Sequence, residues 1–307
     1  MWTNYYSHGK LLLTGEYTVL DGSLSLALPT SFGQSLKVSP YQNKQLLWTS
    51  FDDKGDIWFQ GGFDLDQLTP DNVGGKKFFS DQVARRMTAI LENARKLNPD
   101  FLRLYSGIQV ETHMNFNRHW GLGSSSTLIN NIAQWADIDP YQLQRSTFGG
   151  SGYDIACAIH GKPLLFHLEM QEPRVSELVF DPPFKEQLNF VYLNRKQDSR
   201  EAIERYRSLE VEKPALIEQI SSLTRELIKC NNLKNFQEVL AAHENLMANR
   251  LQLTRIQDEL FPNYKGVVKS LGAWGGDFVL AASRDEDRTY FLNKGYKTVL
   301  TYSEMVR

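Results

Sequence analysis

The sequence predicts an α+β protein with two domains. Its 307 residues exceed the usual size of one domain and suffice for two, each with its own core. Strand-like segments dominate the first third, whereas helical periodicity dominates much of the second half. Pro173, Pro182 and Pro183 interrupt the pattern between these parts. We therefore expect an N-terminal domain over residues 1–175 and a C-terminal domain over residues 176–307.

The N-terminal domain is expected to begin with β-structure. Strand-like segments span residues 33–39, 45–51 and 57–60. The linkers at 41–44 and 52–56 contain Asn, Asp or Gly, which are residues that favour turns. Because these linkers are short, the sequence predicts a meander of antiparallel strands.

Helices and further strands follow in the same domain. Apolar residues recur every three or four positions over residues 80–97 and 128–136, which predicts two helices. Polar and apolar residues alternate over 108–114, which indicates a half-buried strand, and 163–168 is another strand-like run. Helices interleaved with strands are expected to give this domain its mixed character.

The C-terminal domain is expected to combine a helical hairpin with strands at both ends. A strand-like run opens it at residues 188–193. Apolar residues at helical spacing over 216–227 and 236–247 predict two helices separated by a short break. Strand-like runs return at 277–283 and 297–302, so this domain is also predicted to be α+β.

Composition is that of an ordinary globular protein. Hydrophobic residues make up 41% and charged residues 23%, which argues against disorder and against a membrane protein. The N-terminus lacks the pattern of a signal peptide. A net charge of −2 weighs against a general nucleic-acid binder. Cys157 and Cys230 have no metal-ligand spacing, so we expect reduced thiols in a cytoplasmic protein. A homodimer is also compatible with the sequence.

A glycine- and serine-rich segment lies between a predicted strand and a predicted helix. Its residues are Gly121, Leu122, Gly123, Ser124, Ser125 and Ser126. Glycines let the backbone approach an anion closely, and a helix N-terminus offers unpaired N–H groups. The segment lacks the lysine of a Walker A motif and the third glycine of a dinucleotide fingerprint. By itself it is compatible with a phosphate-binding loop and equally with an ordinary turn capped by serine.

Three segments in order resemble the motifs of the GHMP-superfamily small-molecule kinases. They are residues 8–22, which begin His-Gly-Lys-Leu-Leu-Leu-Thr-Gly-Glu-Tyr, residues 121–126, and residues 271–278, which read Leu-Gly-Ala-Trp-Gly-Gly-Asp-Phe. We call them the first, second and third motifs. The resemblance implies a two-domain GHMP kinase fold, with a β-rich ATP-binding domain followed by a ferredoxin-like C-terminal domain.

A fourth segment narrows the resemblance. Residues 150–158, Gly-Ser-Gly-Tyr-Asp-Ile-Ala-Cys-Ala, look like a stretch of the phosphomevalonate kinases, and the pair Gly276-Asp277 is also similar to that family. Residues 152–156 spell Gly-Tyr-Asp-Ile-Ala (GYDIA), the sequence for which a bacterial GHMP subgroup is named. The chain therefore resembles that subgroup and, beyond it, phosphomevalonate and mevalonate kinases.

The chain departs from the family pattern in two ways that bear on the site. Trp274 replaces a glycine of the third motif, where a bulky side chain would narrow or line the site. The metal-binding glutamate of mevalonate kinases would fall near Leu143, whose neighbours Gln142 and Gln144 are not carboxylates. Mg²⁺ would then rest on Ser125, the ATP phosphates and water.

The resemblance implies transfer of a phosphoryl group from MgATP to a small anionic acceptor. Phosphomevalonate or mevalonate is the expected acceptor, which would place the enzyme in the mevalonate pathway of isoprenoid biosynthesis. Homoserine or a sugar is an alternative acceptor, and a decarboxylase of the same superfamily is a further alternative. A nucleotide-binding protein that has lost catalysis is the alternative from another class.

The resemblance assigns catalysis to Asp154 and Lys10. Asp154 would accept the proton of an alcohol acceptor or, with a phosphate acceptor, position cations. The structural alternative is an aspartate that caps a turn. Lys10 would offset the charge that develops on the transferred phosphoryl group. The structural alternative is a solvated lysine at the end of a strand. Ser125 would contact Mg²⁺.

The remaining site residues are implied by the same motifs. Nucleotide contacts are expected from the second motif and from Gly272, Gly275 and Gly276. Acceptor contacts are expected from Glu16, Ser151, Lys196 and Ser199. For Glu16 a purely structural role is equally compatible with the sequence, and for the cationic segment around Lys196 so is a solvated loop.

Overall fold

The computed structural model describes most of the chain. The described residues are 1–42, 44–66, 68, 70–71, 81–103, 105–195, 199–208, 213–272, 274–285 and 288–307. Their strands are β1 (Thr3–Leu12), β2 (Ser25–Pro40), β3 (Gln45–Phe51), β4 (Ile57–Asp64), β5 (Pro70–Asp71), β6 (Ile108–Met114), β7 (Leu164–Glu169), β8 (Glu172–Glu177), β9 (Leu188–Tyr192), β10 (Val267–Ser270), β11 (Phe278–Ala282) and β12 (Val299–Thr301). Their helices are α1 (Asp81–Leu97), α2 (Ser124–Ala136), α3 (Pro140–Thr147), α4 (Tyr153–His160), α5 (Ser199–Ser208), α6 (Lys213–Leu227), α7 (Leu233–Leu251), α8 (Ile256–Leu260), α9 (Arg288–Asn293) and α10 (Tyr302–Met305).

The helices predicted from apolar periodicity are confirmed as α1, α2, α6 and α7. Helix α7 begins where the hairpin break was expected, because the Asn232 side chain caps it by accepting a hydrogen bond from the Asn235 N–H. The strands predicted at 45–51 and 108–114 are β3 and β6. The segment 33–39 is the end of the longer strand β2.

The predicted antiparallel meander is wrong in one respect. Strand β6 lies between β2 and β3, antiparallel to β2 and parallel to β3, so β2 and β3 are not neighbours, whereas β3 and β4 do pair antiparallel. The linker after β2 makes its backbone hydrogen bonds to the segment that precedes β6, from Tyr41 N–H to Gly107 O and from Lys44 N–H to Ser106 O. Turn residues therefore ended β2 without folding it back on β3.

The described chain divides into two compact units. Unit 1 contains residues 1–9, 32–118 and 122–159, and unit 2 contains residues 10–31, 119–121 and 160–307. In unit 1 the strand order is β5-β4-β3-β6-β2. Helices α1, α2 and α3 bury their apolar faces against these strands in one core, whose members include Trp48, Ile90, Ile129 and Leu143. This core is what holds the start of α2 in place.

Unit 2 contains a four-stranded sheet of order β10-β11-β9-β12, in which every neighbouring pair is antiparallel. In chain order its elements run from β9 through helices to β10 and β11, then through α9 to β12. That is the order of strands and crossovers in a ferredoxin-like domain. Phe261, Val279 and Phe291 pack in the core on one face of this sheet. The predicted α+β fold is confirmed.

Unit 2 also contains strands at its beginning. The first residues of β2 pair with β7, with Ser25 opposite Phe166, and β7 pairs with β8.

None of the helices in the described part of the chain combines the length and the apolar character that a membrane span requires.

Candidate active site

The glycine–serine loop leads directly into α2. Gly123 is the residue before the first turn and has φ 92°, a left-handed conformation that glycine adopts without strain. As the N-cap residue of α2, Gly123 provides no side-chain cap for the first N–H groups of the helix. Ser124 is half-buried, while Ser125 is exposed. The helix therefore presents amide donors and the Ser125 hydroxyl where an anion would gain most from the helix dipole.

Two side chains hold this loop in shape from within unit 1. The Ser126 hydroxyl donates a hydrogen bond of 3.0 Å to the Gly123 carbonyl. The Thr127 hydroxyl lies 2.8 Å from Gln34 Oε1 and 3.1 Å from the same carbonyl. Leu122 is buried, with 1% of its surface exposed. The roles predicted for Leu122 and Ser126 in nucleotide binding stay predictions, and the geometry shows a loop held by the Ser126 and Thr127 hydroxyls, with Leu122 buried beneath it.

Asp154 lies in the first turn of α4, in unit 1. Its carboxylate accepts a hydrogen bond of 2.9 Å from the Gln144 side-chain amide. Ser151, three residues earlier, is 8% exposed. The metal-binding glutamate of mevalonate kinases was expected near Leu143, which is fully buried in the core, and Gln144 is its neighbour in the sequence. Gln144 provides a donor that orients Asp154, and the sequence offered no signal for that contact.

Lys10 stands near the end of β1, in unit 2, and is half-buried. It lines a small cavity together with Gly121, Gly272 and Asp277. Lys10 belongs to the first motif and Gly121 to the second, while Gly272 and Asp277 belong to the third. Unit 2 therefore gathers parts of all three motifs in one place. Asp277 was not among the predicted site residues, although it follows the predicted Gly276 in the sequence.

Glu16 belongs to a buried charge network, which we define as Glu16, His243, Glu244 and Lys269. Glu16 is 2% exposed and its carboxylate forms an ion pair with the Lys269 ammonium. His243 Nε2 lies 3.4 Å from Glu16 Oε2 and accepts a hydrogen bond of 3.1 Å from the Gly15 N–H. Acceptor binding by Glu16 stays a prediction, because what the geometry shows is a link between the first motif and β10.

The other end of the network reaches the residue before the third motif. Lys269 donates to the Ser270 carbonyl at 2.9 Å, and Glu244 accepts from the Ser270 hydroxyl at 2.9 Å and from its N–H at 3.2 Å. Lys269 is 1% exposed although it is a lysine. A buried lysine is stable when it is paired and hydrogen-bonded, as it is here. The network therefore ties β10, and hence the start of the third motif, to the first motif.

Burial dominates the titration of this network. It raises the pKa of Glu16 and raises the pKa of Glu244 to about 7, in each case against the opposing effect of the Lys269 charge. Burial and then the Lys269 charge hold the pKa of His243 well below its usual range. His243 is therefore neutral at pH 7, and Glu244 titrates close to that pH.

Trp274, the unusual residue of the third motif, makes its contacts with Tyr17, Thr254 and an apolar cluster. Its backbone N–H donates to the Tyr17 hydroxyl at 2.7 Å, and its indole N–H donates to the Thr254 carbonyl at 3.1 Å. Its ring packs against the cluster of Tyr17, Tyr206 and Leu251. Trp274 is absent from the described residues that line the Lys10 cavity. The substitution therefore anchors the third motif and does not fill that cavity.

The remaining predicted site residues are Gly275, Gly276, Lys196 and Ser199, and their roles stay predictions. Gly275 has a left-handed φ of 76°, and Gly276 is buried. Lys196 lies outside the described residues, and Ser199 is the first residue of α5. The neighbouring Arg195 forms an exposed ion pair of 3.2 Å with Glu259. Across the described ranges, no group of three or more His, Cys, Asp or Glu side chains is arranged to hold a metal.

Comparison with known proteins finds similarity in structure but not in sequence. No protein-family model and no curated protein sequence matches the chain. Mevalonate kinase from Methanococcus jannaschii has a TM-score of 0.70 at 16% identity, covering 98% of this chain and 97% of that one. Phosphomevalonate kinase from Streptococcus pneumoniae, solved with phosphomevalonate and AMPPNP, has a TM-score of 0.67 at 16% identity, covering 96% of each chain.

A sugar kinase is similar to the same degree. Galactokinase from Lactococcus lactis, solved with galactose, has a TM-score of 0.68 at 14% identity, covering 98% of this chain and 92% of that one. Identities this low establish the fold alone, but three kinases of one superfamily match from end to end. The chain has the fold of the GHMP-superfamily kinases.

Proposed function

We propose that the protein is an ATP-dependent phosphotransferase that acts on a small anionic acceptor. The observation that carries this proposal is the start of α2, where the N-cap residue is a left-handed glycine, Gly123, without a side-chain cap, and Ser125 in the first turn is exposed. A helix start of this form suits a phosphate group, because its amides and its dipole favour negative charge. The fold shared with ATP-using kinases supports the same assignment.

ATP and Mg²⁺ are the proposed cofactors. The amides at the start of α2 fit the phosphates, and the Ser125 hydroxyl offers one oxygen to Mg²⁺. This ion accepts few protein ligands and keeps water and phosphate oxygens, so the scarcity of carboxylates is compatible with it. When bound, the ion would neutralise charge on the phosphates.

Because ATP is abundant in the cytoplasm and both cysteines are free thiols, we also propose a cytoplasmic location.

The chain's own residues would supply orientation and charge. In unit 2, Lys10 would provide positive charge close to the transferred phosphoryl group. In unit 1, Asp154 would accept or orient a proton of the acceptor, with its carboxylate held by the Gln144 amide. Gly272, Gly275 and Gly276 would approach the nucleotide, and Glu16, Ser151, Lys196 and Ser199 the acceptor.

Phosphomevalonate is the acceptor that we propose first, and mevalonate second. The segment at residues 150–158 and the pair Gly276-Asp277 resemble phosphomevalonate kinases. The similarity to galactokinase makes a sugar the next acceptor to test. The fold does not discriminate among them, because specificity depends on a few side chains in the site.

The test is ADP release from purified protein with MgATP and each of phosphomevalonate, mevalonate, homoserine and galactose. Asp154→Asn keeps the size of the side chain and an oxygen for the Gln144 amide, so its loss of rate, on the order of 10²–10⁴-fold, would report the lost charge. Asp137→Asn, at an exposed aspartate after α2, is the matched control and should keep the full rate.

Each outcome decides between the candidate functions. Acceptor-dependent ADP that disappears in Asp154→Asn supports the kinase and identifies its acceptor. Release of carbon dioxide along with ADP would point to a decarboxylase. Tight ATP binding without turnover on any acceptor would contradict the proposal and favour a nucleotide-binding protein without catalysis.

A further inference from the structure

Asp277 places a carboxylate against the first residue of the glycine–serine loop. A Cβ atom added to Gly121 would lie 2.1 Å from Asp277 Oδ2 and 2.4 Å from its Cγ. No side chain other than hydrogen fits at residue 121 while Asp277 keeps this position. The carboxylate therefore fills the space beside the second motif, within unit 2.

The backbone of Asp277 makes two hydrogen bonds to the segment 193–195. Its N–H donates to the Arg195 carbonyl at 2.8 Å, and its carbonyl accepts from the Leu193 N–H at 2.8 Å. Its φ is 51°, in the left-handed region that aspartate and asparagine enter more readily than other residues with a Cβ atom. The two hydrogen bonds fix the backbone from which the Asp277 side chain extends toward Gly121.

Lys10 is the cation among the described residues that line the same cavity. The rest of that lining, apart from Gly121, Gly272 and Asp277, is apolar: Leu11, Leu12, Trp120, Leu271 and Phe278. Tyr192 is a further titratable group nearby, since burial first and the Asp277 charge second raise its pKa. Lys10 and Asp277 are both half-buried. Opposite charges that share a small cavity with apolar walls attract each other more than they would in open water.

We propose that Asp277 is the positioning residue for Lys10, which it keeps charged and directed into the cavity where the three motifs meet. This inference rests on the proposed function and adds a residue to it. A lysine ammonium sits on a flexible stem of four carbons and loses its proton more easily when it is desolvated. A fixed carboxylate counters both effects, and phosphoryl transfer needs a fixed positive charge.

The principal variant is Asp277→Asn. Asparagine keeps the shape and tolerates the left-handed backbone, so the charge is what changes. We expect kcat to fall on the order of tenfold to a hundredfold, as when an orienting partner is removed. We also expect the alkaline limb of the pH–rate profile to move to lower pH by about one unit. Asp137→Asn is the matched control, because Asp137 is also left-handed, at φ 54°, but exposed.

A second readout does not require turnover. Acylation of Lys10 by an amine-reactive reagent, followed by peptide mass spectrometry across a pH series, reports the pH at which the amine loses its proton. This midpoint should fall by about one unit in Asp277→Asn, with Lys37 on β2 as the unchanged internal reference. Asp277→Gly, which fits the same backbone conformation, should reproduce the shift if Asp277→Asn folds poorly.

An unchanged Lys10 midpoint in both variants would overturn the inference, even if kcat falls, because the carboxylate would then act on something other than Lys10. If the wild-type protein turns over none of the acceptors, the proposed function fails, and the labelling still decides whether Asp277 governs Lys10.

Discussion

The two units bury polar side chains in different ways. In unit 1 the buried polar groups near α2 are neutral: Ser7 donates to Asn131 Oδ1 at 2.7 Å, and the Asn131 amide donates to the Gln34 carbonyl at 2.9 Å. In unit 2 the buried charge network joins Glu16 to Lys269. Neutral hydrogen-bonded groups do not titrate, whereas the stability of a buried ionised group depends on its partner's charge and on the pH. The difference predicts that a change of pH, or removal of one hydrogen-bonding or charged partner, changes the stability of unit 2 more than that of unit 1.

The largest effect is expected from removing the cation of the network. Lys269→Met would leave Glu16 and Glu244 buried without their counter-charge, and should lower the free energy of unfolding by about 3–5 kcal/mol. Lys265→Met, at an exposed lysine just before β10, is the control and should change it by less than about 0.5 kcal/mol. Urea unfolding measures both, and equal losses would show that the network does not stabilise unit 2.

The next largest effect is the pH dependence of the free energy of unfolding that Glu244 should cause. Its pKa is raised to about 7 in the folded protein from an ordinary value of 4.5, so its contribution to stability is fully present below about pH 4.5 and is lost as the pH rises through 7. Glu244→Gln cannot ionise. Relative to the wild type it should therefore gain about 3 kcal/mol between pH 4.5 and pH 8.

Thermal unfolding of both proteins across that range measures the difference, with Glu238→Gln, at an exposed glutamate of the same helix, as the control. A difference between wild type and Glu244→Gln that stays constant with pH would contradict the titration of Glu244.

A smaller effect is expected in the neutral network of unit 1. Asn131→Leu leaves the Ser7 hydroxyl and the Gln34 carbonyl without this partner, at a cost of about 2 kcal/mol in the free energy of unfolding. The loss should be the same at pH 5 and pH 8, since neither group titrates there. Gln134→Leu, an exposed site on α2, controls for the substitution. A loss that varies with pH would break the contrast between the two units.

The smallest effect concerns the anchor of the third motif. Trp274→Phe keeps an aromatic ring against Tyr17 and Tyr206 but removes the indole donor to the Thr254 carbonyl. One lost hydrogen bond at a half-exposed site should cost about 1 kcal/mol, measured as a small fall in Tm. Trp2→Phe, at an exposed tryptophan, should have no effect, and the same result at Trp274 would mean that this bond does not anchor the loop.

Local pattern in the sequence was enough to predict the α+β class, four helices and most of the strands, because apolar periodicity reports directly which face of an element is buried. The glycine–serine segment was likewise recognisable, since its spacing before a helix has a physical consequence of its own. The division into domains at residues 175 and 176 remains a prediction, as do the roles of the individual site residues.

Tertiary structure decided what local pattern cannot express. The insertion of β6 between β2 and β3, the pairing of Glu16 with Lys269, and the approach of Asp277 to Gly121 each join residues that are far apart in the chain. The sequence by itself determined which segments are helical, extended or rich in glycine, because those properties arise from neighbouring residues. Which charges are buried together, and which carboxylate meets which lysine, depends on packing between distant segments.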